Sequence, residues 1–165
     1  MRHWLVSSTR KAIPVSLTGV RFRANPTTEQ KKTLSQWMGC ARFVWNAKCE
    51  EQEYLYRFAQ KYLSSTTRIP VDQTYAQFKN PELSPWLSDC PSIILRNTAY
   101  VWRNTFGSFL KGDCGRPRRK KKGGSESIWL TSELFRFECD RLFIGSKTNN
   151  VGFLVFKAHR AFQKP

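Results

Sequence analysis

The chain has 165 residues and is 40% hydrophobic and 14% aromatic, with 28 Lys and Arg against 12 Asp and Glu and a net charge of +16. The apolar content and the six tryptophans exclude a disordered basic tail, because they are enough to form a core. The isoelectric point of about 10.1 is typical of nucleic-acid-binding domains. The length suits one domain or two small intertwined ones.

The five cysteines are scattered, with no C-x-x-C pair, and the two histidines stand near opposite ends of the chain. This pattern favours free thiols in a reducing cytosol over a disulfide framework or a metal site. The apolar run at residues 4–6 is too short for a signal peptide, and no run approaches the roughly 20 residues of a membrane-spanning helix. The sequence therefore predicts a cytoplasmic protein without membrane attachment, metal or cofactor.

The first half of the chain predicts one strand and one long helix. Residues 1–12 are predicted to be a loose arm, and apolar and basic side chains alternate with strand period at residues 20–24. Thr27 and Gln30 have the spacing of a capping box, so a helix is expected to begin there. Apolar side chains then recur at helical spacing from Leu34 to Tyr62, which predicts that this face of the helix is buried.

A short helix is predicted near Asp72, with Tyr75 and Phe78 on one side. A longer helix is predicted from Ser92 to Lys111, because Pro91 precedes it and Gly112 is a suitable C-terminal stop. The predicted buried stripe of this helix consists of Leu95, Ala99, Trp102, Phe106, Phe109 and Leu110.

After residue 124 the hydrophobic period changes from that of a helix to that of a strand. Short strands are predicted at residues 127–131, 134–137, 141–144 and 151–156, with turns at residues 139–140 and 147–150. The strand at residues 20–24 is not stable alone, so its partners are expected among these later strands. The fold is therefore predicted to be α+β, with a small barrel or sheet at residues 13–26 and 125–165 interrupted by a helical domain at residues 27–111.

Residues 112–124 form a predicted basic loop with six cations in seven positions, interrupted by Pro117. The cations are Arg116, Arg118, Arg119, Lys120, Lys121 and Lys122. Like charges this close repel, and nucleic-acid phosphates are well suited to neutralise them. A solvated, disordered loop is the alternative, and the net charge of the chain favours nucleic-acid binding.

Further candidate binding residues lie outside this loop. Arg21 and Arg23 share one face of the predicted strand. The non-core side of the second long helix is predicted to carry Arg96, Asn97, Tyr100, Arg103, Asn104, Ser108 and Lys111. Arginine and asparagine can hydrogen-bond guanine and adenine edges, and a helix fits the DNA major groove. For each residue taken alone, the pattern favours an ordinary surface position, and only the set together with the net charge of +16 favours binding.

No catalytic motif is present. Metal-dependent nucleases need clustered carboxylates, whereas Glu50, Glu51 and Glu53 are expected to form a solvated, ion-paired helix face. The sequence contains no phosphate-binding G-x-x-x-x-G-K-[ST] and no G-x-S-x-G. The residues themselves thus predict nucleic-acid binding and give no positive sign of catalysis.

Five segments resemble, in order, the sequence blocks of one family. They are RFRANPTTEQ (residues 21–30), GCARFVWN (39–46), PWLSDCPSIILRN (85–97), GRPRRKKK (115–122) and GFLVFKAHR (152–160). The family is the TnpB (OrfB) proteins of insertion sequences, which are similar to type V CRISPR effectors. Two departures are Asn25 before Pro26 and Arg119 in the basic block, where the family has aromatic residues.

The resemblance implies a wedge-type, OB-like β-barrel interrupted by an inserted helical bundle. It also implies binding of a guide-type RNA from the transposon and recognition of a short DNA motif. Family members cut DNA with a C-terminal RuvC-like domain that uses three carboxylates and a divalent metal and carries a zinc ribbon. None of those residues matches a position here, so we expect the N-terminal part without the nuclease.

By position in these blocks, the resemblance assigns roles to individual residues. Candidate contacts to the RNA backbone are Arg42, Asn46, Arg116, Lys120 and Lys122. Candidate residues near the DNA motif are Ser92, Arg96 and Thr131. Three hypotheses stay open: a nucleic-acid-binding part of a TnpB-type protein, a DNA-binding regulator that does not cut, and a fragment of a complete RNA-guided endonuclease.

Overall fold

The computed structural model describes residues 23–62, 75–124, 126–138 and 141–157. In chain order the elements are β1 (Arg23–Ala24), α1 (Thr28–Tyr62), 3₁₀ turns at Ala76–Phe78 and Pro85–Asp89, α2 (Ser92–Lys111), β2 (Phe135–Glu138), β3 (Arg141–Gly145) and β4 (Asn150–Lys157). The predicted α+β class is confirmed. Across these described ranges, no helix combines the length and the apolar character needed to cross a bilayer.

Helix α1 begins at the predicted capping box. The Thr27 amide donates to Gln30 Oε1 at 3.0 Å, and the Gln30 amide donates to Thr27 Oγ1 at 3.3 Å. Gln30 also uses its side-chain amide, which donates to the carbonyls of Val151 at 3.2 Å and Phe153 at 2.9 Å. One side chain therefore closes the first turn of α1 and attaches it to β4.

Helix α2 has the predicted bounds. It follows Pro91 and ends at Gly112, whose positive φ of 83° lets its amide donate to the carbonyls of Phe109 and Ser108. Glycine adopts this left-handed conformation without the steric cost that a Cβ would impose.

The strands form one antiparallel sheet in the order β1-β4-β3-β2. Arg23 is opposite Lys157 and Ala24 is opposite Phe156, so the strand before α1 pairs with the last strand, as predicted. Strands β2, β3 and β4 correspond to three of the four strands predicted after residue 124. Among the described residues the sheet is open, with β1 and β2 at its edges.

The turn between β3 and β4 depends on Gly145. Its φ is 137°, and a Cβ at this position would lie 2.3 Å from Asn150 Cα. The register shifts here, at Ile144 and Gly145. Ser146 and Asn149 close the turn, since the Ser146 amide donates to the Asn149 carbonyl at 2.8 Å. This turn falls within one residue of its predicted position.

The core lies between the two helices and the sheet. Its main cluster consists of Trp37, Cys40, Ala41, Val44, Leu87, Cys90, Ile94, Leu95, Ala99, Leu134, Ile144, Val151 and Leu154. A second cluster of Trp45, Trp102 and Phe106 lies farther along both helices. The predicted neighbours Tyr75 and Phe78 pack against the main cluster, whereas Asp72 lies outside the described residues.

Three predicted core positions are wrong. Phe58 and Tyr62 are 40% and 63% exposed and contact each other, with ring centroids 4.9 Å apart. Leu110 is 66% exposed, near the end of α2. Helical spacing identifies one face of a helix, but it does not tell how far the packing partner extends along it.

The strand predicted at residues 127–131 is also wrong. Ile128 and Leu130 pack against the main cluster while Trp129 points outward, so the alternation that suggested a strand is real. No described strand pairs with this segment. Instead, Asn97 on α2 donates its side-chain amide to the Trp129 carbonyl at 3.2 Å. Asn97 is accordingly buried, not on the non-core side as predicted.

Replacing Gln30 tests the junction between α1 and β4. We expect Gln30→Ala to lower the free energy of unfolding by about 2 kcal/mol, because it removes three side-chain hydrogen bonds. Gln30→Glu keeps the acceptor for the Thr27 amide but loses both donors to the carbonyls of β4. Its free energy of unfolding should therefore also be lower than that of the unmodified protein. Chemical denaturation measures both.

Gln36→Ala is the matched control, because Gln36 is an exposed glutamine on the same helix. Equal stability of the Gln30→Ala and Gln36→Ala proteins would contradict the role assigned to Gln30.

Candidate nucleic-acid interface

The basic segment, defined here as residues 116–122, is held against α1 by hydrogen bonds to its main chain. Trp45 Nε1 donates to the Arg118 carbonyl at 2.9 Å. Asn46 makes a reciprocal pair with Lys120: its Nδ2 donates to the carbonyl at 3.0 Å and its Oδ1 accepts from the amide at 2.8 Å. The segment therefore has a defined path although it has no helix or strand structure.

Cys49 extends this attachment by one turn of α1. Its thiol donates to the Pro117 carbonyl at 3.8 Å, while Trp102 Nε1 on α2 donates to its sulfur at 3.3 Å. Burial raises the pKa of the Cys49 thiol, so the thiol keeps the proton that it donates. Both helices are thereby connected to the start of the basic segment.

Three cations of the basic segment turn back toward α1. Arg119 pairs with Glu50 and Glu53, each at 3.3 Å. Lys120 Nζ lies 4.3 Å from the ring centre of Trp45, and burial lowers the pKa of this ammonium. The Arg116 guanidinium lies 5.9 Å from the ring centre of Tyr56. These contacts offset part of the repulsion along the segment.

The other three cations point to solvent. Arg118, Lys121 and Lys122 are exposed, and none of them has an ion-pair partner among the residues that the structure describes. Exposed cations on a main chain of defined path are suited to contact successive phosphates. Three side chains of the segment thus anchor it to α1, and the other three remain available to bind phosphates.

A second polar surface runs along α2. Ser92, Arg96, Tyr100 and Arg103 are exposed on this helix. Arg96 approaches Glu133 at 3.8 Å, and both side chains are about 60% exposed, so this pair contributes little. The C-terminal half of α2 forms a shallow groove of about 410 Å³ lined by Tyr100, Arg103, Asn104, Gly107, Ser108 and Lys111.

A small crevice of about 90 Å³ lies between this helix and the basic segment. Lys120 and Lys121 line one side of it, and Asn97 and Trp129 line another. Arg42 and Glu126 form an ion pair in the same crevice, with the Arg42 side chain 23% exposed. The predicted candidates Arg42 and Asn46 therefore both hold chain segments in place.

The remaining candidates have varied surroundings. Arg23 is exposed on the edge strand β1, and Arg21 lies outside the described residues. Thr131 is half-buried, and its hydroxyl oxygen has no hydrogen-bond partner in the described part of the chain. Its carbonyl accepts from the Leu134 amide at 2.9 Å.

Sequence reasoning missed Trp129 as a candidate. This side chain is 53% exposed and lies against Tyr100, with ring centroids 6.3 Å apart. The alternating pattern assigned Trp129 to a paired strand. The signal in the sequence that it faces outward was its position between two apolar residues, Ile128 and Leu130.

Comparisons with known proteins agree with the sequence blocks. A family model described as a helix-turn-helix domain of OrfB from IS605 matches residues 16–59. The chain is 24% identical over 115 residues to InsQ of Escherichia coli (strain K12), described as a candidate RNA-guided DNA endonuclease. Both comparisons show that the chain is similar to the TnpB (OrfB) family.

The match to this relative covers 68% of the chain and 27% of InsQ. The chain thus spans about a quarter of the length of its TnpB-type relative. In the described part of the family-model match, residues 23–59, the structure consists of β1 and a single continuous helix. Within this described range, no turn divides the helix into two.

The reciprocal bonds of Asn46 predict a local effect of mutation. In Asn46→Ala, the Lys120 amide loses its acceptor, so we expect its hydrogen exchange to accelerate about tenfold or more, corresponding to roughly 1.4 kcal/mol of lost protection. Hydrogen exchange followed by NMR at the Lys120 amide measures this.

Asn46→Asp is the informative control, because it keeps the acceptor for the Lys120 amide and loses the donor to the Lys120 carbonyl. Its exchange should be closer to that of the unmodified protein. Unchanged exchange in Asn46→Ala would show that the basic segment does not depend on Asn46.

Proposed function

We propose that this chain binds DNA and a guide-type RNA as the N-terminal nucleic-acid-binding part of a TnpB-type transposon protein. The single observation that carries the proposal is the basic segment, in which Trp45, Asn46 and Cys49 hold the main chain while three cations face solvent. Binding to such a preformed surface avoids much of the entropy cost of ordering a loop. The net charge of +16 adds a long-range attraction for phosphates.

The two nucleic acids are proposed to use different surfaces. The RNA backbone is proposed to bind the basic segment, with Arg118, Lys121 and Lys122 as the direct phosphate contacts. Asn46, Arg116, Arg119 and Lys120 then act mainly by holding the segment in place, and Arg42 holds Glu126, which lies just beyond the segment. The anchoring contacts of these five side chains support this division.

The DNA motif is proposed to lie along the outward face of α2. Ser92, Arg96 and Arg103 are exposed there, and Thr131 belongs to the segment that packs beside this helix. The weak Arg96–Glu133 pair leaves the guanidinium able to exchange its partner for a base edge. This geometry supports α2, instead of α1, as the helix that reads DNA.

We further propose the domain organisation implied by the family. In it, residues 13–26 and 125–165 form a wedge-type barrel, residues 27–111 form an inserted helical domain, and residues 112–124 form the basic loop. The pairing of β1 with β4 supports it, because it joins chain segments from before and after both helices.

Neutralising the three solvent-facing cations tests the function. We expect Arg118→Gln, Lys121→Gln and Lys122→Gln together to lower the slope of log affinity against log salt by roughly 2, because each phosphate contact contributes about 0.7–0.9. Titration of a labelled RNA and of a labelled DNA duplex at several salt concentrations measures the slope. The RNA slope should fall more.

The matched control is Lys31→Gln, Lys32→Gln and Lys147→Gln, which removes the same charge from exposed positions outside both surfaces. Lys32 lies 14 residues before Asn46 on the same helix, a separation of roughly 21 Å. Equal slopes for the two triple variants would mean that binding follows net charge alone, and the proposed surface would be wrong.

A further inference from the structure

Two large aromatic side chains are exposed next to each other, Tyr100 on the outward face of α2 and Trp129 in the segment beside it. Tyr100 is 49% exposed and Trp129 is 53% exposed, and their ring centroids are 6.3 Å apart with the planes inclined by 41°. About half of each side chain is therefore accessible to solvent. The nucleic-acid-binding role proposed above does not by itself require aromatic side chains at this place.

The backbone that carries Trp129 is fixed by the core. Ile128 and Leu130, on either side of it, pack against the main cluster. Asn97, only 8% exposed, donates to the Trp129 carbonyl at 3.2 Å. Tyr100 lies one turn farther along α2 from Asn97, so one helix positions both rings. Because the backbone is already ordered, only the side-chain freedom of the two rings is lost when a ligand stacks on them.

Cations flank the aromatic pair on two sides. The crevice at Trp129 is also lined by Lys120 and Lys121, and the groove at Tyr100 is also lined by Arg103 and Lys111. A strand that crosses the two rings would therefore meet positive charge before and after them. Alternation of aromatic faces with backbone-binding cations is typical of proteins that bind single-stranded nucleic acid.

We infer that Tyr100 and Trp129 form a stacking platform for unpaired bases of a single-stranded nucleic acid. Lys121 and Arg103 bind phosphates on the two sides of the platform. Paired bases in a duplex expose only their edges, so the platform favours single strands over duplexes. The inference rests on the proposed function and deepens it, since it assigns this surface to a strand that is not base-paired.

The inference is tested with labelled oligonucleotides of thymidine and of uridine, each about 12 nucleotides long, and with a mixed-sequence DNA duplex. Trp129→Ala should weaken single-strand binding by about tenfold, and Tyr100→Ala together with Trp129→Ala by more, because stacking on each ring is lost. The salt slope should stay unchanged, since no charge is removed. Duplex affinity should change by less than about twofold.

Two further variants serve as controls. One keeps an aromatic ring at position 129, and the other removes an exposed tryptophan elsewhere on the protein. Trp129→Phe keeps a ring and should retain most of the single-strand affinity, while an equal loss in Trp129→Phe and Trp129→Ala would argue against stacking. Trp86→Ala removes another exposed tryptophan, 41% exposed and packed edge-on against Phe43, and should have no effect. Circular dichroism establishes that each variant is folded.

The outcomes separate the platform from the proposed function. Salt-dependent duplex binding together with unchanged single-strand affinity in the double variant would overturn the platform alone. Equal losses on single strands and duplex would also overturn it, and would indicate a general phosphate-binding or structural role. If the unmodified protein binds none of the three probes, both proposals fail. A loss confined to the thymidine or the uridine strand identifies which nucleic acid uses the platform.

Discussion

The hydrogen bonds from α1 to the main chain of residues 117–120 are the interaction on which the functional surfaces depend. Six cations in seven positions repel one another, and an unsupported loop of this composition has no reason to keep one path. Trp45, Asn46 and Cys49 supply that path by bonding carbonyls and one amide of the segment. With the main chain held in this way, three cations of the segment contact α1 and the other three face solvent.

The tryptophans that build the second cluster also take part in this arrangement. Trp45 and Trp102 are buried, and each uses its single N–H donor on a partner at or next to the basic segment. A buried indole N–H without a partner would cost stability, so the position of the segment and the packing of the cluster are mutually dependent. The same residues therefore stabilise the helix pair and shape the proposed RNA-binding surface.

Four of the five sequence blocks that resemble the family contact one another in pairs in the folded chain. Gln30 of the first block bonds the Phe153 carbonyl of the last, and Asn46 of the second bonds Lys120 of the fourth. The third block contributes Asn97, which holds Trp129 in place. Several residues that the resemblance assigned to nucleic-acid contacts thus hold the fold together. The exposed residues next to them are therefore the stronger candidates for contacts with nucleic acid.

The sequence by itself determined the α+β class, the capping box, both bounds of α2 and three of the strands after residue 124, because these depend on local spacing, caps and period. It also identified the basic segment and the resemblance to the TnpB (OrfB) family. Tertiary structure alone decided that Trp129 bonds Asn97 and that residues 127–131 form no strand. It also decided that Phe58 and Tyr62 stay exposed, and which cations of the basic segment face solvent. These outcomes depend on contacts between residues distant in the chain, about which local pattern carries no information.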